Sequence, residues 1–352
     1  MKAGADNSAP AFCCRIGPLS NRADTPYIRG PANRLAVTRT PTSNPSNTMH
    51  SRFLISLVAA GCLATTLEGQ DVSQVQIKVI PISGGVYMLE GAGGNIGLSV
   101  GDDDAFLVDD QYAPLTPKIR AAIATLTQKP VRFVLNTHWH SDHSGGNENM
   151  KGAGAIIVAQ ENTRRRMGTE QFLEAFKQRV PASPAAALPV ITFTEAMTFY
   201  VNGDSVRATH VRNAHTDGDV LVVFQKANVI HMGDTFFNGA YPFIDVSTGG
   251  SARGTIVAAD RALAMSNAQT RFIPGHGPLA NRADLIAYRN VVKTVTDRVA
   301  RHIAQGRTLK QVLAAKPSAE FDAKWGTGFI KPEPFITILY SSLTPKVKKP
   351  KP

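Results

Sequence analysis

Cysteine is scarce in this 352-residue chain: Cys13, Cys14 and Cys62 are the whole supply, and none follows position 62. The bulk of the chain therefore cannot carry a disulfide framework, and any metal site in it must use nitrogen and oxygen ligands. Long apolar runs are missing as well, and the longest is too short to cross a bilayer. Charged residues are few, at 18%, against 43% hydrophobic ones, which excludes a wholly disordered chain and leaves room for a sizeable core. Acidic residues are the scarcer sign. Lys and Arg number 38 against 27 Asp and Glu, a net charge of +11 that by itself suggests nucleic acid or anionic lipid as a partner.

The position of that charge removes the suggestion. Residues 1–48 carry Lys2, Arg15, Arg22, Arg29, Arg34 and Arg39 against Asp6 and Asp24, a net of +4. They are rich in proline and show no apolar periodicity that could build a core. From Pro345 onward, Lys346, Lys348, Lys349 and Lys351 add another +4, while Arg52 cancels Glu68 in between, so residues 70–344 hold only +3. No nucleic-acid partner is expected, and a small-molecule substrate is.

The stretch from Met49 has a weakly basic start, an apolar run from Phe53 and small residues at Ala59–Ala64. It reads as a secretory signal over 49–69. Met49 is then the expected true start and 1–48 a mis-assigned leader. Ala59-Ala60-Gly61-Cys62 also resembles a bacterial lipobox with a non-ideal first position, which raises a lipid anchor at Cys62 beside soluble periplasmic export. The expected organisation is leader 1–48, signal 49–69, one catalytic domain 70–344 and a basic tail 345–352.

Within the body, residues 74–82 alternate apolar and polar as a half-buried strand does. Short strands are expected near 85–90, 95–100 and 105–109, a helix over 117–127, and a buried strand at Val131–Asn136. A strand at 155–159, a helix over about 160–179 and a Pro/Ala loop at 181–189 follow. Asn202-Gly203-Asp204 is a hairpin signal. Strands at 219–224 and 228–232, a helix near 251–266, a strand at 271–274 and helices over 281–304, 307–315 and 333–343 complete the pattern. The glycines at 91, 93 and 94 are not a dinucleotide fingerprint, because G-x-G-x-x-G would need glycine at Ile96. Helices between strands, twice over, point to a layered α/β domain.

Residues 138–143 read His-Trp-His-Ser-Asp-His directly after a buried strand. Four potential ligands in six residues, followed by Gly145-Gly146, describe a loop that can turn several side chains onto one point. Ala214-His215-Thr216, Gly233-Asp234-Thr235 and Pro274-Gly275-His276-Gly277 follow in order, each near an apolar strand-like run. Five imidazoles and two carboxylates suit zinc. The remaining histidines, His50, His210, His231 and His302, read as structural or surface, and Arg164-Arg165-Arg166 as a solvated helix face.

This ordered set resembles the metallo-β-lactamase superfamily over roughly residues 74–300. The resemblance implies a four-layer αββα sandwich with a dinuclear zinc site, Zn2+ twice per chain. It places His138, His140 and His215 on the first zinc, Asp142, His143 and His276 on the second, and Asp234 as the bridge. Asp109, in Leu-Val-Asp-Asp, falls where the family keeps a supporting carboxylate, with Asp110 beside it. Zinc lowers the pKa of bound water from 15.7 to about 7, so a metal-bound hydroxide is the expected nucleophile, and Asp142 the expected proton carrier. Histidine at 140 favours zinc hydrolysis over diiron oxygen chemistry, whose members carry a carboxylate there.

The aromatic residues Phe236, Phe237, Tyr241 and Phe243, with Pro242 and Trp139, either pack a long loop or wall an apolar substrate pocket. The resemblance leaves the substrate open. Where cysteine-ligand zinc β-lactamases place a substrate-binding Lys, this chain has Phe237. Glyoxalase-type thioesterases share Asp234 but end in Cys-Gly-His rather than Pro-Gly-His. The first expectation is an exported zinc hydrolase that cleaves a cyclic amide (a β-lactam) or a related ester. The second is a lactonase or thioesterase without β-lactam turnover, and the third a non-catalytic zinc-binding protein.

Overall fold

Short apolar runs, buried on both faces in the central strands, become the sheets, and the two faces of those strands define the layers. In the computed structural model, which describes residues 72–344, all of these lie in the compact unit Thr65–Pro352. The leader, the signal with Cys62 and His50, and the basic tail fall outside the described residues.

In chain order the first half comprises β1 (Lys78–Ser83), β2 (Val86–Glu90), β3 (Ile96–Ser99), β4 (Ala105–Val108), α1 (Thr116–Ala124) and β5 (Val131–Asn136). It continues with α2 (Ser141–Ser144), α3 (Asn147–Gly152), β6 (Ile156–Gln160), α4 (Glu161–Met167), β7 (Gln171–Leu173), β8 (Gln178–Val180) and β9 (Ile191–Phe193). The second half comprises β10 (Ala196–Val201), β11 (Asp204–His210), β12 (Val220–Phe224), β13 (Val229–His231), α5 (Ala252–Ala264) and β14 (Arg271–Ile273). Helices α6 (Arg282–Ala304), α7 (Leu309–Ala314), α8 (Ala319–Trp325) and α9 (Pro332–Leu343) close it.

Seven strands form one sheet in the order β1-β2-β3-β4-β5-β6-β9, and five form another in the order β10-β11-β12-β13-β14. The first sheet is antiparallel through β4 and parallel from β4 to β9. The second is antiparallel except for the parallel pair β13 and β14.

Alternation decides which side chains meet. Phe106 and Val108 of β4 and Leu135 of β5 face Val206, Ala208, Val222 and Phe224 in a core between the sheets. Their neighbours Leu107 and Val134 turn the other way, onto Ile119 and Ile123 of α1. On the far side, Leu221, Ile230 and Phe272 pack against α5, α6 and α9 through Ala258, Leu285, Val292 and Leu339. Helix, sheet, sheet, helix is the resulting stack: the expected αββα sandwich. Asn281 and Asp284 form a capping box that starts the long helix α6.

One expected helix is corrected. Residues 160–179 are not a single helix: α4 stops at Met167, with Gly168 as its C-cap, and a β7–β8 hairpin follows. Gln171 and Leu173 are buried while Phe172 between them is exposed, a period of two that no helix satisfies. Lys177, at φ 53° in the hairpin turn, takes a left-handed conformation. Strand β9 and helix α8 were not expected from the sequence pattern.

The inter-sheet core also packs rings edge to face, with Phe106 and Phe199 centroids 4.9 Å apart and Phe133 5.4 Å from Phe199. Phe106→Ala is expected to cost about 3–5 kcal/mol through lost burial and a residual cavity. The shift of the urea unfolding midpoint measures it, and an unchanged midpoint contradicts the two-sheet packing.

Candidate metal centre

All the expected ligands sit just beyond strand ends along one edge of the two sheets. Asp109 follows β4, His138 and His140 follow β5, and Asp142 and His143 lie on the single turn of α2. His215 follows β11, Asp234 lies on the 3-10 turn Gly233–Thr235 after β13, and His276 follows β14. The parallel pairs β4/β5 and β13/β14 bring neighbouring strand ends together, so residues far apart in sequence converge.

They converge on two points. His138, His140, His215 and Asp234 offer ligand atoms within 4.8 Å of one another, and so do Asp142, His143, Asp234 and His276. In the first group His140 Nδ1 stands 3.1 Å from His138 Nε2 and 2.9 Å from His215 Nε2. Each ring's other nitrogen is already engaged. His138 Nδ1 lies 3.0 Å from Thr137 Oγ1, whose own proton goes to Asp109 Oδ2. His140 Nε2 donates to Asp245 Oδ2 at 3.2 Å, and His215 Nδ1 donates to the Phe243 carbonyl at 2.9 Å. These partners assign the tautomers and leave three lone pairs facing one another in a buried space. Burial also keeps the His138 and His215 rings neutral: the His138 pKa is pushed well down, and that of His215 falls to about 4. Three buried lone pairs without a proton require a cation between them, and imidazole nitrogens suit a divalent transition metal.

The second group expresses the same need differently. Burial alone would lower the pKa of His143, but Asp234, Asp142 and Asp109 raise it well above the usual value. For His276, Asp234 and Asp142 likewise outweigh burial and push it up to about 10. Burial would raise both carboxylates, yet His143 and His276 hold Asp234 well below its ordinary range and Asp142 at about 2. Negative charge thus gathers around one point and draws protons to it, as it would draw a metal ion. Asp234 Oδ1 makes no hydrogen bond among the described residues, although His143 Nε2 lies 2.9 Å away. The donor sets therefore fit metal ions at both points.

The supporting layer is specific. Asp109, fully buried and held at φ 66°, accepts from Thr137 N and from His143 Nδ1, at 2.7 and 2.8 Å. Its neighbour Asp110 points elsewhere, onto Gly146 N, so Asp109 is the carboxylate that supports the ligands. Asp245 performs the same service for His140 and had no counterpart in the sequence reading. It is oriented by Ser247 and Thr248, whose backbone N–H and hydroxyl groups bond its carboxylate. The only local signal was Asp-x-Ser-Thr, an N-cap pattern. Glycines 94 and 275 are needed where backbone meets ligand. A Cβ at Gly94 would lie 2.1 Å from the His143 ring, and one at Gly275 2.0 Å from Asp234 Oδ1. Asn95 links the two sheets here, donating from its side chain to the Pro274 and Gly277 carbonyls at 3.0 and 2.8 Å.

The aromatic residues divide. Phe236 and Tyr241 belong to the helix-side core, Phe236 against Tyr288 and Tyr241 stacked on Phe335, so neither lines a pocket. Trp139 is buried with Met167 and Leu173, and its indole N–H donates to Thr248 Oγ1. Phe236 and Tyr241 pack into apolar neighbours of the helix side, whereas Trp139 also lies against the His140 ring, with centroids 4.5 Å apart. Phe237 does reach the site and stacks on His276, with centroids 5.0 Å apart. Phe243 lies beside His140 and His215 at 5.8 and 5.6 Å. His210 and His231 are structural, bonded to the carbonyls of Asp217 and Asn95. Arg166 is not merely solvated: it pairs with Asp217 at 2.7 Å and reaches Gln171 on the hairpin.

An αββα sandwich with two histidine and carboxylate clusters at its strand ends is the architecture of a metal-dependent hydrolase. The family model of the metallo-beta-lactamase superfamily matches residues 89–294, and the chain belongs to that superfamily. Among solved structures, a metallo-beta-lactamase from Pontibacter korlensis matches at 20% identity and TM-score 0.52, over 62% of this chain and 99% of that one. The DIM-1 metallo-beta-lactamase matches at 18% identity and TM-score 0.50, over 63% and 99%. A double mutant of the sec-alkyl sulfatase PisA1 matches at 17% identity and TM-score 0.57, over 76% of this chain and half of that one. At these identities the likeness is one of fold.

Two outcomes follow for metal binding. A metal must displace the proton on His276, so affinity at the second group should rise with pH up to about 10, with proton release at neutral pH. At the first group His138 and His215 should release no proton on binding until pH falls towards 4, the value of His215. Calorimetric titration in buffers of different protonation enthalpy distinguishes the two, and equal proton release at both groups contradicts the assignment. Asp245→Ala should weaken the first group alone by about 10–100-fold, because His140 loses the acceptor that fixes its ring. Competition with a chelator measures that loss.

Proposed function

We propose that the protein is an exported dinuclear zinc hydrolase that opens a cyclic amide or a related ester by attack of water. The observation that carries this reading is the shared carboxylate. Asp234 turns Oδ1 towards His143 and His276, at 2.9 and 3.4 Å, and Oδ2 towards His215 and His138, at 3.6 and 3.9 Å. One side chain thus addresses both ligand groups, which is the arrangement of a bridge. Two bound zinc ions would supply a nucleophile from water near neutral pH and Lewis acidity at the scissile group.

The chain's own residues complete the chemistry. Asp142 is the more exposed carboxylate, with Oδ2 3.2 Å from His276 Nε2, and it remains anionic at neutral pH. It is placed to take the proton of the attacking water at Oδ2 and return it to the leaving atom. Its ring neighbour His276 is one-third exposed, so substrate enters on this side. Phe237 covers the far face of His276 and excludes water there.

Phe237 also favours a second reading, a lactonase or acyl thioesterase. It stands three positions after Asp234, where a cation would otherwise anchor the carboxylate of a β-lactam, and it is 7% exposed. Export rests on the sequence of 49–69 and on the absence of cysteine from the body, which suits an oxidising compartment.

The test is hydrolysis of a chromogenic cephalosporin, a lactone, an acyl thioester and a secondary alkyl sulfate, each with and without chelator, alongside zinc analysis. Expected are chelator-sensitive turnover of at least one substrate, about two zinc ions per chain, and a loss of about 10²–10⁴ in kcat for Asp142→Ala. Metal-loaded protein inert towards all four leaves the non-catalytic alternative standing. Mass spectrometry of the mature N-terminus tests export, and retention of residues 1–48 defeats it.

A further inference from the structure

Among the described residues, Phe172, Phe176 and Phe329 are the exposed phenylalanines, at 38%, 39% and 76%. Two of them are not scattered. Phe176, at the β7–β8 turn, lies 5.5 Å from Phe329, centroid to centroid, and 4.9 Å from Phe243. Phe243 in turn lies 5.8 Å from His140 and nearly parallel to it, at 29°. Three segments remote in sequence therefore deliver rings to one continuous strip that starts at a metal-site imidazole and ends in solvent.

Each ring is placed by a contact of its own. Glu174 N donates to Ser247 Oγ at 3.4 Å, and Arg166 bonds Gln171, so the hairpin is fixed to the turn that carries Asp245. Phe243 sits where its carbonyl accepts from His215 Nδ1. Phe329 precedes Ile330, which pairs with Tyr241, and Tyr241 N donates to the Trp325 carbonyl at 2.9 Å. Core packing does not require Phe176 and Phe329 to be open to water, and leaving both so forgoes burial energy, while Phe243 at the inner end is buried.

We infer that the Phe243–Phe176–Phe329 strip binds an extended apolar arm of the substrate, an acyl or alkyl chain of medium length, on the His140 side of the scissile bond. The inference rests on the hydrolase reading for the identity of the bond that is cut, but not for the affinity of the strip. The contacts that build the strip are ring on ring, so recognition of the arm is by apolar contact. Its continuity with the His140 ring distinguishes it from an isolated surface patch.

The experiment uses the full metal-loaded chain and the variant Phe176→Ala/Phe329→Ala, with Tyr200→Ala, a remote exposed aromatic, as control. Two series are measured: hydrolysis of butanoyl, hexanoyl and octanoyl thioesters, and calorimetric binding of butanoate, hexanoate and octanoate. In the unaltered protein and in Tyr200→Ala, kcat/KM and affinity should each rise about fourfold per added methylene, the value for full burial of one CH₂. In the double variant both slopes should flatten to less than about twofold per methylene. Both substituted rings are exposed, so circular dichroism and metal content should be unchanged. A slope in carboxylate binding that depends on the two rings, with no thioester hydrolysed, supports the strip and counts against the thioesterase reading alone. Turnover that ignores chain length, or a slope that survives in the double variant, overturns the strip. So does a dimer, seen by light scattering, that is lost in the double variant when no slope is present, because the rings then cover a second copy of the chain.

Discussion

Buried lone pairs that face one another are the constraint around which this fold is arranged. His138, His140 and His215 bring three ring nitrogens together, each with its other nitrogen already engaged, and Asp142, Asp234 and Asp109 surround His143 and His276 with negative charge. Neither arrangement is stable in an apolar interior without positive charge at its centre. The price is borne by the rest of the domain: two sheets with a dense core hold the strand ends at a fixed separation. Because the ligands lie on loops after β5, β11, β13 and β14, a shift of one sheet against the other would pull both clusters apart.

The outward face of each ring matters as much as the inward one. Asp109, Thr137, Asp245 and the Phe243 carbonyl each take one ring N–H, and by doing so determine which nitrogen keeps its lone pair. Asp109 is itself set in a left-handed backbone conformation between a parallel strand and the ligand loop. Such strain is tolerated where neighbouring hydrogen bonds hold the residue, here from Thr137 and His143. The two clusters differ in charge as a result. The first has three imidazoles with one carboxylate and the second two imidazoles with two carboxylates, so one shared side chain joins two unlike environments.

Much of this was legible in the sequence because the chemistry is local. The six residues from His138 to His143 supply four ligands by themselves, and the followers keep their order after recognisable strands. The alternating runs on either side of Asn202-Gly203-Asp204 and the apolar run Val220–Phe224 likewise announced the second sheet. What was hidden depends on contacts across long separations. Asp245 lies 105 residues from His140, and nothing in Asp-x-Ser-Thr says which ring it will meet. The aromatic residues after Asp234 were ambiguous for the same reason. Phe236 and Phe237 are adjacent, yet one enters the core and the other covers a ligand. The hairpin at 171–180 was hidden by a helix-favouring start, since α4 and the hairpin share a polar, charged stretch whose period changes only after Gly168.

That hairpin has a consequence of another kind. It forms its own two-stranded sheet, joins neither large sheet and contributes no ligand. Changes in its turn can therefore alter what the protein accepts while the metal-binding apparatus stays intact. In evolutionary terms the domain separates a part that can drift from a part that cannot. Substrate range can then be rewritten by a few residues in a surface loop, without passing through forms that have lost their metal.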